Sequence, residues 1–154
     1  NLTVEPQELT DNLQYILKIG KSYGIKVMFE NQCDTMLSTD KKLTEIYSII
    51  KGEVSGLIFN PLEYSREKRH PFFHEFYNSK LKSDVCFLRV NDGLFLDGTP
   101  SMPGCGNAEI KEMASILLSR GFKGYFSFVP YFDKMDVNGY KEVILRFKNI
   151  LKEL

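Results

Sequence analysis

Four short apolar runs alternate with five amphipathic stretches along the chain. The runs are GIKVMFE (24–30), EVSGLIFN (53–60), DVCFLRV (84–90) and GYFSFV (124–129). Each is nearly continuous in apolar residues, as expected of strands covered on both faces. Elsewhere the apolar residues recur at i, i+3, i+4 and i+7, which predicts helices. Leu9, Leu13, Ile16 and Leu17 share one such face, and Leu43, Ile46, Tyr47 and Ile50 a second. Phe72, Phe73, Phe76 and Tyr77 make a shorter aromatic third, and Ile110, Met113, Ala114 and Leu117 a fourth. Tyr140, Val143, Ile144, Phe147, Ile150 and Leu151 make the fifth. The punctuation agrees: Pro6 suits a first helical turn, and Gly20 or Gly24 a helix exit. Thr39 or Asp40 is expected to cap the second helix, Asn107 the fourth, and Gly121 to end the fourth. The resulting order, α-β-α-β-α-β-α-β-α, predicts parallel strands with right-handed crossovers. Strand spacing of roughly 30–40 residues fits βα units, with no residue-level repeat.

At 154 residues the chain is long enough for one domain with its own core. Lys+Arg and Asp+Glu both number 20, so the formal charge is zero, which argues against nucleic acid or an anionic membrane as partner. No apolar stretch approaches the ~18–20 residues of a membrane span. Cys33, Cys86 and Cys105 are an odd set without a CxxC spacing. They read as reduced thiols in a cytoplasmic protein, with Cys86 a packing residue. The first residue is Asn rather than Met, which points to a processed chain or a piece of a longer one.

Four of these segments, in order, resemble a known family. GIKVMFEN is similar to the strand that carries the first metal-binding glutamate of xylose isomerase-like TIM barrels, a superfamily of sugar and sugar-phosphate isomerases and epimerases that also includes endonuclease IV-type nucleases. GLIFNP resembles its next strand, which usually ends in Asp-Pro, and CFLRVND its His-x-x-Asp strand. PGCGNAEIKEMASILLSRGFKGYFSFV is the strongest match, to a Pro-Gly-x-Gly loop, a helix and a strand ending in glutamate. The resemblance spans about residues 9–130. It implies four parallel βα units, the C-terminal half of a (β/α)8 barrel, as one partial domain over 1–154. A whole barrel takes ~250 residues. The expectation is therefore a fragment, a half-barrel completed by another chain or segment, or an open sheet that closes its core differently.

The resemblance also implies which residues sit at the strand tips. With side chains alternating along a strand, the inward tips are Glu30, Asn60, Arg89 and Val129. The family's metal ligands there are Glu, Asp, His and Glu, so only Glu30 is kept. A divalent ion such as Mn²⁺ or Mg²⁺ wants several oxygen donors with carboxylate charge. Asn60 lacks the charge, Val129 has no donor, and Arg89 cannot ligate. A metal cofactor is disfavoured and none is expected. A buried, unpaired Glu30 would be costly, and Arg89 can supply the missing cation through a two-pronged ion pair. Two other readings stay open: Glu30 as a solvated strand-exit residue, and Arg89 as the fork for a phosphate or carboxylate ligand.

Asp92 could orient Arg89 or cap a turn in NDG, and Glu63 falls where metal-rich relatives place a His. LEYSREKRH reads as a solvated, charged loop. His70 and His74 have metal-compatible spacing, but His70 precedes Pro71. PGCG before a helix could turn backbone N–H groups toward an anion. These residues suggest a sugar or sugar-phosphate isomerase or epimerase with a degenerate metal site, in which Glu30 and Arg89 do the chemistry and Asn60, Asp92 and Glu63 help hold a sugar-like or anionic ligand. The alternative is a barrel-derived binding or regulatory module. A nuclease would need a richer His/Asp/Glu cluster and a basic groove.

Overall fold

A computed structural model of the chain describes residues 6–35, 37–129 and 136–154. The main sheet contains β1 (Phe29–Glu30), β2 (Leu57–Phe59), β3 (Val85–Arg89) and β6 (Tyr125–Ser127), all parallel, in the order β1-β2-β3-β6. The helices α1 (Pro6–Ser22), α2 (Asp40–Ile50), α4 (Ile110–Ser119) and α5 (Val137–Lys152) are the long amphipathic stretches of the sequence. A short helix, α3 (Pro61–Arg66), follows β2 directly. The aromatic stretch Pro71–Tyr77 winds as a π-helical segment. A small antiparallel pair, β4 (Asp92–Gly93) with β5 (Pro100–Ser101), interrupts the long loop after β3.

The strands are shorter than the apolar runs that announce them. Val27 and Val54 of these runs pack against helices outside the strands proper, although the Val27 carbonyl still accepts the Ser55 N–H ahead of β2. Of the two expected caps, one is found and one is not. Thr39 caps α2 by accepting the Lys42 N–H, as anticipated. Asn107 does not cap α4: its side chain accepts the Phe95 N–H, and Glu109 opens the helix from a left-handed conformation, φ 53°. Glu109 is held there by two contacts across the loop, accepting the Phe72 N–H at 2.8 Å and meeting His70 Nδ1 at 3.3 Å.

The helix-facing side of the sheet carries the core. Leu57, Phe59, Val85 and Leu88 pack with Leu43 and Tyr47 of α2 and with Met113 and Leu117 of α4. Leu17 of α1 meets Ile46 and Ile50, and Phe147 of α5 meets Ile110 and Ala114. Ile16, expected on the α1 core face, is 57% exposed instead.

One irregularity decides which residues reach the other side. Leu57 pairs with Val85, but Ile58 pairs with Phe87, so Cys86 is an extra residue in β3. This bulge shifts the alternation by one. Val85 and Leu88 both face the helices, while Phe87 and Arg89 join Ile58 and Asn60 on the open side. Gly56 lies opposite the bulge, where a Cβ would stand 2.3 Å from Cys86 Sγ.

The two faces of the sheet should differ in stability. Leu88→Ala, fully buried at 0% exposure, is expected to cost about 2–5 kcal/mol in urea denaturation. Phe87→Ala, on the partly exposed side, should cost less than about half of that by the same area argument. Equal losses would mean that the open face is covered in the isolated chain.

Candidate functional site

At the C-terminal ends of β1, β2, β3 and β6 a polar network crosses the sheet. Glu30, the last residue of β1, receives two hydrogen bonds from Arg89, the last of β3: Nε to Oε1 at 3.1 Å and Nη2 to Oε2 at 2.8 Å. This is the two-pronged ion pair anticipated from the sequence. The side chains keep 28% and 21% exposure respectively, so water reaches only their outer edges. Asn60 Nδ2 donates to Glu30 Oε1 at 3.0 Å, and Asn60 Oδ1 accepts from Asn91 Nδ2 at 3.4 Å. Arg89 Nη1 donates to Ser127 Oγ at 3.3 Å.

Asn60 is fully buried, and its amide suits this setting better than a carboxylate. An Asp there would set a second negative group about 3 Å from Glu30, which costs heavily at low dielectric unless a cation lies between them. The amide donates to Glu30 instead. Asn31 fixes the tip from the other side: its Oδ1 accepts the Asn60 N–H at 2.8 Å and its Nδ2 donates to the Asn60 carbonyl at 2.9 Å. Those two bonds continue the β1–β2 pairing one residue past the strands.

The donor set does not fit a divalent ion. A guanidinium occupies both oxygens of Glu30, and no group of three or more His, Cys, Asp or Glu side chains is placed to hold a metal among the described residues. The β6 partner of Arg89 is Ser127. Val129 lies two residues further on, in a recess lined with Leu62 and Val90. His70 and His74 do not converge: His70 rests edge-on against Phe95 and contacts Glu109, and His74 packs on Phe73.

Glu63 is packed into a helix, and Asp92 takes the turn-capping role of the two expected for it. LEYSREKRH is not a solvated loop throughout, because its first half is the buried helix α3. Glu63 is 5% exposed, pairs with Arg66 at 2.8 Å and accepts the Cys33 N–H at 3.1 Å. Further along, Arg69 binds the buried Glu75, the Ser38 carbonyl and the face of Tyr64. Asp92 does not touch Arg89. Its buried carboxylate accepts four backbone N–H groups, those of Gly93, Gly104, Gly106 and Ala108, at 2.8–3.0 Å. The PGCG amides therefore do turn toward an anion, and the anion is the protein's own. Gly104 has φ 81°, and a Cβ on Gly106 would sit 2.3 Å from Asp92 Oδ1. These two contacts explain both glycines.

Beside the Glu30–Arg89 pair lies a cleft of about 310 Å³ lined by Glu30, Asn31, Cys33, Asn60, Glu63 and Arg66. Its size is at the lower end for small-molecule sites. Burial, then the Glu63 carboxylate, pushes the Cys33 thiol up to about 11 from 9.0. Cys33 therefore contributes a neutral thiol to the wall. Sequence reasoning missed Ser127, Asn31, Asn91 and Arg66. Ser127 could have been found by counting twos back from Val129, and Asn31 only from the pairing geometry.

The geometry is that of half a xylose isomerase-like TIM barrel. The D-tagatose 3-epimerase-like protein superposes with a TM-score of 0.76 at 19% identity, over 96% of this chain and 54% of that one. A xylose isomerase domain protein from Planctomyces limnophilus gives 0.73 at 14% identity, over 99% and 55%. The 3-keto-D-glucoside 4-epimerase of E. coli gives 0.68 at 13%, over 94% and 53%. By sequence, inosose dehydratase from Salmonella typhimurium and from Salmonella agona are each 26% identical over 137 residues, covering 79% of this chain and 45% of the relative. The chain thus spans about half the length of the curated relatives it matches. No protein-family model matches it.

Two outcomes check this description. Asp92→Ala should destabilise the chain by about 3 kcal/mol or more, given charged-group hydrogen bonds of ~1.5–3 each, and should speed amide exchange at Gly104, Gly106 and Ala108 before other sites. Unchanged exchange there would contradict the cradle. Iodoacetamide reacts with thiolate, so Cys33 alkylation should rise with pH to a midpoint near 11. Glu63→Gln should lower that midpoint yet leave it above 9.0, because burial is the larger cause.

Proposed function

We propose that this chain forms half the mouth of a carbohydrate-directed barrel of the isomerase and epimerase kind, in which Arg89 stands where a divalent ion would otherwise be. The bidentate Glu30–Arg89 pair is the observation that carries this reading. Its support from outside the site is that the relatives and structural neighbours bear names of enzymes or enzyme-like proteins directed at sugars or sugar-like compounds. In such chemistry a carboxylate takes a proton next to a carbonyl and a fixed donor holds the oxygen that becomes negative. Glu30 and Arg89 have those two capacities, and the neighbouring cleft offers amide and carboxylate partners for hydroxyl groups.

A second reading has its own observation. Both Glu30 oxygens are already engaged by Arg89, and Asn60 adds a third bond. A carboxylate held that way suits a mouth that binds a polyol or an acid without converting it.

The test is a panel of D-tagatose, D-xylose, an inosose and their acidic or phosphorylated derivatives, followed by ligand-observed NMR with the chain in EDTA. Binding is expected without added metal. Arg89→Lys keeps the charge but loses the fork, and should weaken binding about tenfold, equivalent to ~1.4 kcal/mol. An isomerised product after prolonged incubation favours catalysis, and binding without conversion favours the binding module. Binding that requires Mn²⁺, or that ignores Arg89→Lys, contradicts both readings.

A further inference from the structure

A cleft of about 700 Å³ opens at the N-terminal end of the sheet, the end away from the Glu30–Arg89 pair. Lys26, Lys82, Arg120 and Lys123 line it, and no carboxylate among the described residues does. Each arrives on a segment that leads into a strand: Lys26 ahead of β1, Lys82 ahead of β3, and Arg120 and Lys123 between α4 and β6. Because β3 and β6 are neighbours in the sheet, the approaches to them lie side by side. The volume falls within the ~300–1,000 Å³ of small-molecule sites.

The chain as a whole has no net charge, so four cations in one recess are a local excess. The carboxylates on the same approaches are engaged elsewhere. Glu53, ahead of β2, pairs with Lys21 at 3.3 Å, and Asp84, ahead of β3, pairs with Lys51 at 2.8 Å. Lys26, Arg120 and Lys123 are exposed and meet no carboxylate among the described residues. Lys82 donates to the Tyr77 carbonyl and lies over the Tyr77 ring, both neutral groups. The carbonyl end of α4 favours a cation at Arg120, its C-cap. That field fades within one turn, so it does not account for the lysines that other elements bring. Leu117 and Phe122 supply apolar wall. A recess of one sign with low-dielectric walls focuses its field and concentrates counter-ions.

We propose that this cleft is an anion site for a small molecule that carries a diphosphate group. Four cations from three approaches exceed what a single phosphate neutralises, and a diphosphate offers oxygens to several at once. Arg120 can grip phosphate oxygens as a fork, and the lysines act as point charges. The shared chemistry is the diphosphate, whether free or carried by a nucleotide. The site lies at the other end of the strands from the polar mouth, and the inference does not depend on the carbohydrate reading.

Calorimetric titration of the chain at low salt with pyrophosphate, with ADP and with inorganic phosphate tests it. Pyrophosphate is expected to bind at about 0.1 mM or tighter and at least tenfold more tightly than phosphate, with the heat fading at high salt as the cations are screened. ADP bound more tightly than pyrophosphate assigns the site to a nucleotide, and equal binding assigns it to the diphosphate alone. Lys123→Gln, at an exposed position, should weaken pyrophosphate at least threefold, and Lys82→Gln with Lys123→Gln at least tenfold. Lys51→Gln removes a cation that is already paired, and Arg89→Lys alters the mouth, so both should leave pyrophosphate binding unchanged. Pyrophosphate should also move the NMR amide signals of Gly121 and Gly124, which line the cleft, and not those of Asn31 and Glu63. Phosphate and pyrophosphate binding alike, no binding of either, losses as large in Lys51→Gln or Arg89→Lys, or signal changes at the mouth instead would each overturn the proposal.

Discussion

The guanidinium of Arg89 in front of Glu30 determines what else the strand tips can hold. A carboxylate at the end of a packed strand needs a positive partner, and here a side chain supplies it from two strands away. Once that cation is fixed, the neighbours follow. Asn60 must donate to Glu30, so an amide serves where a second carboxylate would repel. Ser127 accepts the outer Arg89 nitrogen, so a small hydroxyl serves at the tip of β6. The side chains at the four tips form one connected set of hydrogen bonds. Each suits a tethered cation beside Glu30.

The backbone has to deliver that guanidinium to the right side. Without the bulge at Cys86, strict alternation from Val85 would put Arg89 among Leu43, Met113 and Leu117. The extra residue turns Arg89 toward Glu30 and Phe87 toward the open side in one step. It also leaves Val85 and Leu88 both facing the helices, where they anchor β3. Past the tip of β3, Asp92 secures the long loop by accepting the N–H groups of Gly93 and of Gly104, Gly106 and Ala108 in the glycine-rich turn. The polar mouth and the packed helix side are therefore built from the same strand and its continuation.

Periodicity in the sequence was enough to read the layout of this chain. Parallel strands alternating with helices follow from apolar runs and i, i+3, i+4 faces, and the Glu30–Arg89 pair follows from opposite charges placed at the tips of β1 and β3. Other features left a weaker trace. Helix α3 hides in LEYSREKRH because its charges pair with one another and with loop backbone, so a polar stretch is buried. Asp92 beside Gly93 looks like an ordinary turn, and its amide partners lie 12–16 residues away. The bulge has a signature only in hindsight: two buried residues, Val85 and Leu88, spaced by three in a strand. Ser127 was overlooked because the strand stops two residues before the end of its apolar run.

The central claim is that Arg89 replaces a metal. Calorimetric titration of the EDTA-treated chain with Mn²⁺, alongside elemental analysis of the protein as purified, tests it most directly. The account expects no stoichiometric ion and no saturable heat at micromolar concentrations, with Glu30 remaining paired to Arg89. One Mn²⁺ per chain bound at micromolar affinity or better would contradict it, because Arg89 would then have to leave Glu30 for the ion to enter.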